Sequence, residues 1–156
     1  MTPGRIAFAL GTLALALILG ALGFQYIGHY PPCEMCMWQR YPHIAASFVG
    51  IVGGGLVATG RLDKRFGAPL AVLTIILVAL SGAIAVYHAG VEWKWWKGPS
   101  ACTGGPYSGP MDLNQHVVLC DIAAWRLMGL SLAGYNAIIS LGAAALGAIA
   151  LARKPA

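Results

Sequence analysis

The sequence predicts an all-α membrane protein: a bundle of four transmembrane helices, both termini on the inner side, with two outer loops that each carry a cysteine pair. Three observations predict it. Of 156 residues, 58% are hydrophobic and only 10% are charged, against about 25% charged in an ordinary soluble domain. Four stretches, at about 6–27, 41–60, 66–87 and 127–151, hold no acidic or basic residue beyond their ends, and each has the ~20 residues needed to cross a hydrocarbon core of about 30 Å. Finally, Arg5, Arg61, Lys64, Arg65, Arg153 and Lys154 fall on one side and Arg40, Lys94, Lys97 and Arg126 on the other. Basic residues mark the inner face. The formal charge of +5 is therefore a topology signal and calls for no nucleic-acid partner.

Taken in order, the first stretch exceeds the roughly 7–15 apolar residues of a signal peptide, and no small-residue cleavage site follows before Tyr30, so it is expected to remain as a span. An outer loop at about 28–40 follows, where Pro31 and Pro32 precede a helical start. The second and fourth spans contain "VGIVGGGLVATG" and "SLGAAALGAIALA", small residues that let helices approach closely in lipid. "GRLDKRFG" is read as the tight inner turn between spans two and three. The outer loop at about 88–126 opens with "GVEWKWWKGP", an interfacial tryptophan belt. The Gly- and Pro-rich stretch "CTGGPYSGPMDLNQ" is expected to be mobile. From Met111 to Trp125, apolar residues at spacings of three to four predict a short amphipathic helix on the membrane surface. No repeat or second domain is visible, so 1–156 reads as one membrane domain.

All four cysteines (Cys33, Cys36, Cys102, Cys120) and all four histidines (His29, His43, His88, His116) fall on the outer side or at outer helix ends. In bacteria that side is oxidising and disulfides persist there. Three pairings are open. A Cys102–Cys120 bridge would close a floppy loop and stabilise by about 2–4 kcal/mol, whereas Cys33 and Cys36 close a ring too small to remove much chain entropy. Such Cys-x-x-Cys pairs are redox or metal sites. A structural zinc site would draw on Cys33, Cys36 and outer histidines, but the second pair forms no compact knuckle. Met37 after Cys36 excludes a c-type haem motif.

If a helix begins near Cys33, then Cys36, Arg40 and His43 share one face at i, i+4 and i+7. The helix dipole and Arg40 would then favour a thiolate on Cys36. Arg40 is either a functional intramembrane charge or a side chain snorkelling to the headgroups. Pro42 leaves two geometries: a kinked helix running through it, or a membrane helix that starts there. His88 either caps the last carbonyls of span three or joins Arg40 at a bound polar head group.

"PCEMCMWQR" at the entrance of span two, a second cysteine pair in the loop before span four, and "CDIAAWRLMGLSLAGYN" leading into that span together resemble the disulfide bond formation protein B (DsbB) family. The resemblance implies an enzyme of the bacterial inner membrane, a protein-dithiol:quinone oxidoreductase. It would reoxidise a periplasmic DsbA-like thioredoxin-fold protein and pass the electrons to a quinone, ubiquinone or menaquinone. By position, Cys102 would take the mixed disulfide with the partner and Cys120 would pair with Cys33. Cys36 would meet the quinone, Arg40 would hold a quinone oxygen, and His88 would assist. The alternative of a different class is a structural or metal-binding membrane protein with static cysteines.

Overall fold

Prolines, glycines and capping side chains set the helix ends in this computed structural model, which describes residues 1–103 and 118–153. Helix α1 (Pro3–Tyr26) starts on Pro3, where a missing N–H costs nothing. Helix α2 (Glu34–Phe48) passes through a π-helical turn (Val49–Gly54) into the short α3 (Gly55–Ala58). A turn at Gly60 (φ +74°) and a 3-10 turn (Lys64–Phe66) lead into α4 (Gly67–Glu92). The two-residue strands β1 (Arg126–Leu127) and β2 (Leu130–Ser131) precede α5 (Leu132–Ala152). Among the described residues, four helical segments are long and apolar enough to cross a membrane: Pro3–Tyr26, Glu34–Ala58, Lys64–Glu92 and Leu132–Ala152.

Several boundaries differ from those expected, each for a local reason. The second helix begins at Glu34 rather than near Tyr41, because the Cys33 sulfur caps it, and Pro42 lies within the continuous helix. The third runs on to Glu92. The fourth begins at Leu132 rather than Leu127, because a hairpin intervenes. Its two-residue turn, Met128 (φ 50°) and Gly129 (φ 83°), has the paired positive φ angles that match strand twist. Ser131 then caps α5, its hydroxyl accepting from the Gly134 N–H at 3.2 Å. Replacing Ser131 with Ala should lower stability by about 1 kcal/mol, read as a lower thermal midpoint in detergent.

The Gly- and Pro-rich stretch and the first part of the expected amphipathic helix fall in 104–117, outside the described residues. The remainder of that helix, 118–125, forms turns and bends instead. Helix α4 packs along α5 and α2, and α1 crosses the π-helical turn. That crossing has backbone against backbone: a Cβ on Gly11 would lie 2.8 Å from the Gly50 Cα. Ile6, Ala7, Leu10, Ala14, Ala46, Ala71, Val78 and Ala144 form the main apolar core. A second buried cluster, at the other end of α2, holds Cys33, Met35, Val91, Cys102 and Cys120.

Candidate redox site

The cysteines meet where α2 begins and α4 ends. Cys102 and Cys120 form a disulfide, and both are buried (3% and 0% exposed). The backbone N–H of Cys120 also donates to the Cys102 carbonyl at 2.7 Å. Cys33 and Cys36 are free thiols. Cys33 packs in the cluster that contains the disulfide, and its Sγ accepts the Cys36 backbone N–H at 3.1 Å. The side-chain hydrogen bond with Cys36, followed by burial, pushes the Cys33 thiol above its ordinary range. Cys33 therefore keeps its proton.

Cys36, Arg40 and His43 do share a face, and all three line a cavity of about 250 Å³ between α1, α2 and α5. Its far wall is apolar, with Leu17 and Phe24 from α1 and Leu132 and Ile139 from α5. Arg40 donates from Nη1 to Gln25 Oε1 at 2.6 Å and from Nη2 to the Ala21 carbonyl at 3.4 Å, which ties α2 to the end of α1. A guanidinium has five N–H donors, so others remain for a ligand oxygen. An apolar cavity with a few converging polar groups suits an amphipathic ring such as a quinone, and Cys36, Arg40 and His43 are the residues that would hold it.

His88 lines the same cavity but addresses the cysteines rather than Arg40. Its Nε2 lies 3.2 Å from the Cys120 carbonyl oxygen, 3.6 Å from Cys33 Sγ and 3.7 Å from Glu92 Oε1. Behind it runs a chain of amides, Gln39 buried and Asn136 half-buried. Gln39 Nε2 donates to the Met35 carbonyl at 3.0 Å and approaches His88 Nδ1 at 2.9 Å, while Asn136 Nδ2 donates to Gln39 Oε1 at 2.9 Å. Asn136 Oδ1 in turn accepts from Ser140 at 2.7 Å and meets His43 Nε2 at 3.0 Å. Ser81 adds a further tie, its hydroxyl donating to the Gln39 carbonyl at 2.9 Å.

Each Gln39 group has a fixed role, so the tautomer of His88 follows. The amide NH2 faces Nδ1, so Nδ1 accepts and the ring proton sits on Nε2. Cys33 Sγ, Cys36 Sγ and a ring nitrogen of His88 do lie within 4.8 Å of one another, a spacing open to a metal, and the nitrogen nearest Cys33 is Nε2. A protonated Nε2 offers no lone pair, so the hydrogen bonds oppose that use.

Outside the spans, Lys94 pairs with Asp121, beside Cys120, and holds that carboxyl below the usual carboxylate range. Reading the sequence brought out the cysteines, Arg40, His43 and His88. Gln25, Gln39, Glu92 and Asn136 escaped it, although a lone amide inside an apolar span is itself a signal.

Four spans, a buried disulfide and a free Cys-x-x-Cys pair in contact with its cluster define a multi-pass membrane protein of thiol–disulfide chemistry. The comparisons agree. The chain belongs to the family described as Disulfide bond formation protein DsbB, whose model matches residues 3–150. It is similar to "Disulfide bond formation protein B" of Dechloromonas aromatica, 27% identical over 168 residues that cover 97% of this chain and 94% of the relative. The protein of the same name from Aromatoleum aromaticum is 29% identical, with 95% and 97% covered. That of Burkholderia thailandensis is 34% identical over 82 residues, 53% of this chain and 43% of its own. No solved structure matches the chain significantly. Membership makes this a disulfide-generating membrane oxidoreductase.

Proposed function

We propose that the protein regenerates a soluble, DsbA-like thioredoxin-fold oxidase and sends the electrons through its two cysteine pairs to membrane quinone, ubiquinone or menaquinone. The setting is the bacterial inner membrane, termini inside and cysteines on the periplasmic face. The observation that carries this reading is the placement of the pairs: Cys33 lies in the disulfide's own cluster, and Cys36 lies on the apolar cavity.

A partner thiolate attacks Cys102, the Cys102–Cys120 bond breaks, and its electron pair leaves on Cys120. Cys120 then attacks Cys33 of an oxidised Cys33–Cys36 pair, and Cys36 leaves as the thiolate. Exchange of this kind needs the attacking sulfur beside its target. Cys33 is already held there, and Arg40 places a cation by the wall on which Cys36 sits. The partner's second thiolate then frees Cys102 and the partner leaves oxidised, Cys102 attacks Cys120 to re-form the outer disulfide and release Cys33, and bound quinone would supply the two-electron, two-proton sink that returns Cys33 and Cys36 to a disulfide.

The test is quinone reduction by the purified protein with a reduced thioredoxin-fold partner, followed by ultraviolet absorbance. Turnover should be seen with the intact chain and fall to background in Cys36→Ser, because only a thiolate serves as the nucleophile. Unchanged turnover in that variant would sink the proposal. Absence of turnover with every quinone and partner, together with stoichiometric metal in the sample, would favour the static metal-binding alternative.

A further inference from the structure

The amides behind His88 have no part in the electron path, yet they belong to a group of polar side chains set deep in the bundle. Gln39 is 6% exposed, His88 3%, His43 3% and Ser140 0%. Polar groups at such depth in a membrane protein are kept for a reason. Here they form a directional chain from α5 to the cysteine junction. Asn136 presents NH2 to Gln39 Oε1, Gln39 presents NH2 to His88 Nδ1, and the His88 Nε2 N–H faces the Cys120 carbonyl at 3.2 Å with Cys33 Sγ beside it at 3.6 Å. Each link fixes the orientation of the next.

A histidine beside a cysteine ordinarily acts as its base, which needs an unprotonated ring nitrogen facing the sulfur. Here the opposite nitrogen faces it. We propose that Gln39 and Asn136 clamp His88 as a hydrogen-bond donor, denying Cys33 a base and leaving Cys36 as the sulfur that reacts. Gln39 and Asn136 are positioning residues, acting only through the imidazole.

The charged and titratable neighbours are consistent with this. From α4, Glu92 Oε1 lies 3.7 Å from the same N–H and favours the proton there. From α2, Cys36 and, beyond it, Arg40 face the pair, and Arg126 lies within electrostatic reach of Glu92. None supplies Cys33 with a proton acceptor as close as an imidazole lone pair would be. A thiol deprived of a base is poorly nucleophilic at neutral pH.

Two substitutions reverse the clamp by different routes. Gln39→Glu places a carboxylate on His88 Nδ1, drawing the proton to that nitrogen and turning a lone pair toward Cys33. Asn136→Asp removes the NH2 that Gln39 Oε1 accepts. Gln39 must then turn its own NH2 to the new carboxylate and present Oε1 to Nδ1, with the same result from one residue further along the chain.

The test uses the full chain in detergent, outer disulfide intact and inner pair reduced. Nitrogen-15 histidine spectra should show His88 protonated on Nε2 in the native protein and on Nδ1 in both variants. The carbon-13 Cβ shift of Cys33, followed across pH, should show the thiolate forming about ten-fold more readily in the variants than in the native protein, a readout that needs no reagent to reach the buried sulfur. Native His88 protonated on Nδ1 would overturn the inference, and that spectrum needs no variant to fold. So would a variant that moves the proton yet leaves the Cys33 profile unchanged. The inference rests on the proposed relay, but neither measurement uses quinone or partner, so its failure and the failure of the relay are distinguishable.

Discussion

Cys33→Ser should reduce quinone-linked turnover to background while leaving the folded protein almost as stable as before. The two effects separate because Cys33 has two jobs. In the proposed relay its sulfur is the station between the outer disulfide and Cys36, and a hydroxyl forms no disulfide under these conditions. Its sulfur also caps α2 by accepting the Cys36 N–H, and serine is among the best capping residues. The serine variant should therefore stay within about 0.5 kcal/mol of the native protein, whereas Cys33→Ala should lose the cap as well, about 1 kcal/mol. Turnover assays paired with thermal unfolding in detergent check both parts. A serine variant that still turns over would remove Cys33 from the path.

The largest structural effect is expected at Gly50. A Cβ there would press on the Ala7 carbonyl oxygen and lie 2.7 Å from the Gly11 Cα. Both obstacles are backbone, so no rotamer change relieves them, and α1 must move away from the π-helical turn. Overpacking costs about 1–3 kcal/mol even where side chains can shift. Gly50→Val should exceed that range, with a markedly lower thermal midpoint. Gly142→Val is the control, since nothing lies within 4 Å of that position. Equal midpoints for the two variants would show that the α1 crossing is not as tight as described. Because α1 forms one wall of the cavity, Gly50→Val should also weaken whatever binds beside Cys36.

Much of the architecture could be read from sequence, because the forces behind it act along the chain. Uncharged runs of membrane length and the spread of Lys and Arg need no tertiary information. Boundaries were harder. Helix α2 starts at Glu34 because a cysteine caps it, a role more often filled by Ser, Thr, Asp or Asn, and the interior Pro42 argued for a later start. The uncharged run puts the fourth helix five residues before its start at Leu132, because Met128–Gly129 does not resemble the usual Asn-Gly hairpin turn. In the site, the Cys-x-x-Cys spacing and the helical offset to Arg40 announced themselves. The orientation of His88 did not, since it depends on Gln39 from α2 meeting the ring and on Asn136 from α5 fixing Gln39 in turn. Contacts across three helices leave no periodic trace in one chain.

The burial of Cys102 and Cys120 gives the outer disulfide the character of an insulated contact. Small thiols dissolved in the surroundings find no sulfur at the surface to attack, so oxidising power held in that bond does not leak away to them. In the proposed relay, current would be drawn only by a protein that settles on the cover and displaces it, which would make docking the switch that closes the circuit.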